Sequence, residues 1–131
     1  MKPTTSLALA ASLYLLASPS TSYAGAQDFV FEPVKIEVRN GPGSDIAVRL
    51  IDKRTGKPVE GAIIIRTRLD MSPDKMEAMT TKIEPLTESE PGIYKFRADF
   101  TMAGQWALKL QAKVQGEPET VQGTVVFKAM E

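Results

Sequence analysis

The sequence predicts a small all-β domain, an antiparallel immunoglobulin-like sandwich of about seven strands. Three observations predict it. Beyond the first quarter of the chain, apolar and polar residues alternate with a period of two, the repeat of a half-buried strand. Clusters rich in Gly, Pro, Asn and Asp interrupt these runs at roughly 8–14 residue intervals. No segment after the first 26 residues carries the 3.6-residue apolar repeat of a helix long enough to pack on a core.

The N-terminus reads as an export signal. Lys2 supplies a short basic region, residues 7–17 (LALAASLYLLA) are apolar and uncharged, and Ser22-Tyr23-Ala24 and Ala24-Gly25-Ala26 follow the small-x-small pattern of a cleavage site. The apolar run falls short of the about 20 residues that span a bilayer. Cleavage is therefore expected after Ala24 or Ala26, the alternative being an uncleaved anchor. Residues 1–26 are then a signal peptide, residues 27–131 one domain, and the destination periplasmic or extracellular. No Cys follows the apolar run to carry a lipid.

Composition narrows the chemistry. Sixteen basic and sixteen acidic side chains balance, and losing Lys2 with the signal leaves about −1. That sum predicts neither a nucleic-acid partner nor lasting association with a membrane. The chain has no Cys and no His. Disulfide staples, Cys–His and Ser–His nucleophiles and ordinary zinc sites are excluded. No enzymatic activity is expected, because no pair of carboxylates stands at a suggestive spacing.

The elements follow in order. Residues 29–38 (FVFEPVKIEV) form a first strand that Pro33 bends or confines to an edge. After the turn at 40–43 (NGPG), residues 46–51 put Ile46, Val48 and Leu50 on one face. The basic run 52–57 (DKRTGK) lacks the glycine pattern of a phosphate loop and reads as a hairpin turn. In the next strand Ile63, Ile65, Thr67 and Leu69 share the core face, while Ile64, Arg66 and Arg68 face water. Residues 82–87 are a short strand weakened by Pro85, and 88–92 (ESEPG) turn the chain. Residues 93–100 present Tyr94, Phe96, Ala98 and Phe100 to the core, and 105–114 present Trp106, Leu108, Leu110 and Ala112, with Trp106 as an anchor. Residues 121–127 close the sheet.

One stretch departs from this pattern: LDMSPDKMEAM, residues 69–79, holds three of the six methionines, Met71, Met76 and Met79. Thioethers are soft ligands that favour Cu(I) and Ag(I), so the trio is a candidate soft-metal site, with Met102 approaching from the corner at 101–104. A helical turn opened by Pro73 would place Met76 and Met79 three apart on one face. The other reading is packing, since methionine fills irregular gaps beneath loops and makes adaptable contact surfaces. Asp70, Asp74 and Glu77 lack the spacing of a calcium loop and read as solvated charge.

Four blocks together resemble the FixH/YtkA-like domain: 52–62 (DKRTGKPVEGA), 68–73 (RLDMSP), 91–96 (PGIYKF) and 100–106 (FTMAGQW). The resemblance covers roughly residues 34–127. It implies an exported or membrane-anchored β-sandwich that serves as an accessory protein of the cell envelope. Relatives are associated with assembly of cbb3-type cytochrome oxidase or with heavy-metal efflux, so the implied partner is an envelope complex and the implied cargo copper. The cleavable leader sets this chain apart from anchored FixH and favours a free periplasmic protein.

Overall fold

In the computed structural model, which describes residues 26–87 and 90–131, two five-stranded sheets pack face to face. The expected signal segment, up to residue 25, lies outside the described residues, as do Glu88 and Ser89 of one expected turn. The strands are β1 (Phe29–Pro33), β2 (Glu37–Arg39), β3 (Gly41–Asp52), β4 (Lys57–Pro58), β5 (Ile63–Met71), β6 (Met76–Thr81), β7 (Ile83–Pro85), β8 (Ile93–Phe100), β9 (Gly104–Lys113) and β10 (Val121–Met130).

The first sheet runs β1-β3-β8-β7, with β4 beside β3, and the second runs β2-β10-β9-β5-β6. Every pairing is antiparallel except that of β2 with β10. Reading β1, β3, β8 and β7 as strands A, B, E and D, and β10, β9, β5 and β6 as G, F, C and C′, gives the immunoglobulin order.

Ten strands stand where the sequence led to about seven, and each extra one has a local cause. Pro33 ends β1, and the chain crosses to the other sheet to form β2. Proline cannot donate to a ladder, so this is a natural place to leave one. Lys57–Pro58 completes a short hairpin with β3, and the methionine segment supplies β6. The hairpin reading of residues 52–57 holds: Thr55 and Gly56 donate their backbone N–H groups to the Asp52 carbonyl at 3.2 and 2.7 Å.

The core is the pair of inner faces. Ile46, Val48 and Leu50 meet Phe96, Ala98 and Phe100 on one sheet and Trp106, Leu108, Leu110, Ala112, Val125 and Phe127 on the other, all buried. Trp106 lies edge-on to Phe100, with ring centroids 5.9 Å apart at 83°, and its indole N–H donates to the Met102 carbonyl at 3.0 Å. Burial of each large side chain contributes about 1.5–3 kcal/mol, which lets a domain without disulfides hold together.

The expected facing of β5 is half wrong. Ile64 pairs with Ala112 and Arg66 with Gln111, so Ile65 is an extra residue in the ladder. Such a bulge flips the alternation. Thr67 and Leu69 keep the core side, but Ile64 takes the core contact in place of Ile63 and Ile65. Those two are left 65 % and 48 % exposed.

Candidate functional site

The methionine stretch lies at one end of the sandwich, between β5 and β6. A short 3-10 turn, Ser72–Asp74, opens with Pro73 near its start, and Lys75 closes it in the left-handed region at φ 61°. Lys75 donates its N–H back to the Ser72 carbonyl at 2.9 Å. The turn is pinned from both sides. Asp70 Oδ1 accepts the Ser72 N–H at 3.0 Å, and Asp74 Oδ2 accepts the Gln105 N–H at 2.9 Å. The second bond ties this turn to the start of β9, just past the corner that carries Met102. Residues from two separated blocks of sequence thus meet at one end.

The four methionines occupy different environments. Met71 is fully buried and belongs to the core. Met76 and Met79 are each 37 % exposed, and Met102 is 38 % exposed. The expected helical turn over Met76 and Met79 is a correction: both lie on β6, the outermost strand of its sheet. Pro73 does open a turn as expected, but Lys75 in the left-handed region ends it before it can become a helix. Met76 pairs with Met71, and Thr80 with Asp70, so Glu77, Ala78 and Met79 have no partner in β5. Of the expected ligands, Met71 is thus enclosed and the other three reach the surface.

Asp70 overturns a second expectation. Expected as solvated loop charge, it is fully buried on the outer side of β5. Its Oδ2 accepts from Arg68 Nε at 2.8 Å and from Lys109 Nζ at 3.0 Å. Arg68 and Lys109 face each other directly across β5 and β9, where like charges repel. The shared carboxylate turns that repulsion into a bridged triad. Burial would raise the Asp70 pKa, but the bonds from Ser72, Arg68 and Lys109 outweigh it and hold the carboxyl well below the usual range. Arg68 also donates from Nη2 to the Glu77 carbonyl at 3.0 Å, fastening β6 to the triad. Sequence reasoning passed over this centre, although two signals were present. An Asp inside a strand run is uncommon, and Arg68 and Asp70, two apart, must share a face.

The fold and this end together define an immunoglobulin-like domain whose distinctive surface chemistry is thioether sulfur. The chain belongs to the YtkA-like family, whose profile matches residues 23–111. No curated protein matches it in sequence. Among solved structures, the ZirS C-terminal domain is similar over 86% of this chain and 81% of that one, with 14% identity and a TM-score of 0.46.

Proposed function

We propose that this YtkA-like domain is an exported, non-enzymatic accessory protein that carries Cu(I) or Ag(I) through the thioethers of Met76, Met79 and Met102. The observation that carries the reading is their exposure. A packing methionine is buried, as Met71 is, whereas these three are left more than a third accessible on an outer strand and an adjoining corner. Neutral sulfur suits a soft cuprous or silver ion. A thioether has no proton to lose, so its hold on the ion does not weaken with falling pH as a thiolate or imidazole site would. Copper handling or heavy-metal efflux in the envelope is the setting that fits such a cargo. Met71 is assigned to packing beneath the site.

The test is Cu(I) competition against a chromophoric chelator. The wild-type domain is compared with the Met76→Leu/Met79→Leu/Met102→Leu variant and, separately, with Met71→Leu. Leucine keeps the apolar volume and removes the sulfur. The reading expects binding by the wild type and by Met71→Leu, with loss in the triple variant. Absence of binding by the wild type would end it.

A second reading rests on β6 as an edge. All of Met76–Thr80 is exposed, and among the described residues only one side of the strand is paired. Such an edge accepts a strand from another protein, which would make the domain an interaction module in the assembly of an envelope complex such as a cbb3-type oxidase. Ala78→Pro would abolish that pairing and leave the sulfur atoms in place, so it separates the two readings.

A further inference from the structure

The net charge of the chain is zero, yet its cations are not spread evenly. On the outer face of the first sheet two of them are matched, Arg49 standing 4.0 Å from Glu32 and Arg97 3.1 Å from Asp45, and Lys95 stands alone among the described residues. The outer face of the second sheet is different. Arg66, Arg68, Lys109 and Lys113 lie on adjacent β5 and β9, and the carboxylate among them, Asp70, is buried and already shared by Arg68 and Lys109. Arg66 and Lys113 have no carboxylate within ion-pair distance among the described residues.

The pairing register arranges this face in rows. Arg66 stands opposite Gln111, which stands opposite Gln122. Two residues along, Arg68 stands opposite Lys109, which stands opposite Thr124. The rows line a shallow depression of about 510 Å³. Beyond them Ile63 lies opposite Lys113, and Ile63 and Ile65 leave an apolar margin at the start of β5. Successive rows are two residues apart, about 6.5–7 Å along the strand. The same distance separates side chains on one face of any extended peptide. A flat lipid surface has no such repeat, and the two isoleucines sit on a strand of the sheet and not on a loop that could enter a bilayer.

We propose that the outer face of β5, β9 and β10 is a docking surface for an extended acidic segment of a partner protein, with alternate carboxylates seated on the Arg66 row and the Arg68–Lys109 row. Gln111, Gln122 and Thr124 offer hydrogen bonds between and beside the charges, and Ile63 and Ile65 receive apolar side chains at one end. The depression is lined by no methionine and needs no metal, so either assignment stands if the other fails.

The test uses a fluorescein-labelled peptide of alternating glutamate with valine and serine, followed by anisotropy in metal-free buffer. The wild-type domain is expected to bind it saturably and more weakly as salt is added, and a glutamine version of the peptide is expected not to bind. Arg66→Glu/Lys113→Glu removes two exposed cations and is expected to weaken binding by about tenfold or more. Thr124→Glu, on another strand, is expected to weaken it in the same direction. Lys95→Glu, on the opposite sheet, is expected to leave it unchanged. Circular dichroism confirms folding of each variant. The proposal is overturned by absence of saturable binding, by equal loss in Lys95→Glu, or by wild-type binding to phosphatidylglycerol vesicles without binding to the peptide.

Discussion

Met71 lies against the backbone of Gly104: a Cβ placed on residue 104 would stand 2.6 Å from Met71 Cε and 2.7 Å from Asp74 Oδ2. The residue also holds φ at +139°, a conformation that side chains other than hydrogen strain to adopt. The methionine turn and the corner before β9 are therefore fitted together at one atom's clearance. Gly104→Ala is expected to cost about 1–3 kcal/mol by overpacking and strain together. Met71→Ala is expected to cost about 2–5 kcal/mol, and Met71→Leu less than about 1.5 kcal/mol. Urea unfolding of the three variants checks the order. A Gly104→Ala variant as stable as wild type would show that the two segments do not meet so closely.

Tyr94 locks the opposite part of the sandwich. Its hydroxyl donates to the Val59 carbonyl at 2.6 Å and accepts the Ala62 N–H at 3.0 Å, holding the segment between β4 and β5 on β8. Burial is the main reason its pKa is raised, which keeps the hydroxyl protonated and able to donate. Tyr94→Phe removes both bonds without changing the ring, so a loss of about 1–2 kcal/mol is expected. Faster hydrogen exchange at the Ala62 amide should accompany it. Loss of stability with Ala62 still protected would place the effect elsewhere.

Most of the fold was legible in the sequence because its signals are local. Alternation marked Phe96, Ala98 and Phe100 on β8 and Trp106, Leu108, Leu110 and Ala112 on β9 as core positions, and all are buried. The departures came from contacts that no local pattern encodes. Ile63 and Ile65 were placed inside because a strict period of two cannot show a bulge, and the register of β5 on β9 decides which isoleucine is extra. The methionine segment looked helical by Pro73 and by spacing, yet Met76 takes a place in the ladder opposite Met71. Asp70 was read as a loop charge because its partner Lys109 is 39 residues away in the chain. The basic rows were hidden for the same reason: a net charge of zero reports a sum, and the sheet decides where the charges stand.

Sulfur accessibility gives a prediction independent of metal. Met76, Met79 and Met102 are expected to oxidise to the sulfoxide under dilute hydrogen peroxide well before Met71. Met130, at 38 % exposure near the end of β10, serves as an internal reference for an accessible thioether on a different strand. Peptide mass spectrometry over time resolves the order. Oxidation of Met71 at the rate of Met130 would mean that the β5–β6 turn opens readily, against the pinning by Asp70 and Asp74.

Asp70 should make stability depend on pH. Its carboxyl is held below the usual range when folded, while in the unfolded chain it titrates near about 3.9. A group depressed in the folded state binds protons more readily once unfolded. Its contribution is therefore fully present above that unfolded value and is lost as pH falls towards the folded one. Asp70→Asn keeps the shape but presents an amide to Arg68 and Lys109, and it removes the charge that bridges them. Those two cations are about half exposed and remain hydrated, so the loss near neutral pH is expected to be about 1–3 kcal/mol and not the full cost of stranded buried charge. The gap between variant and wild type should stay constant above about pH 5 and narrow steadily towards about pH 2. Denaturation midpoints measured across that range decide it. Curves that run parallel at every pH would mean that the Asp70 carboxylate is not bound more tightly to its partners in the folded state than to water in the unfolded one.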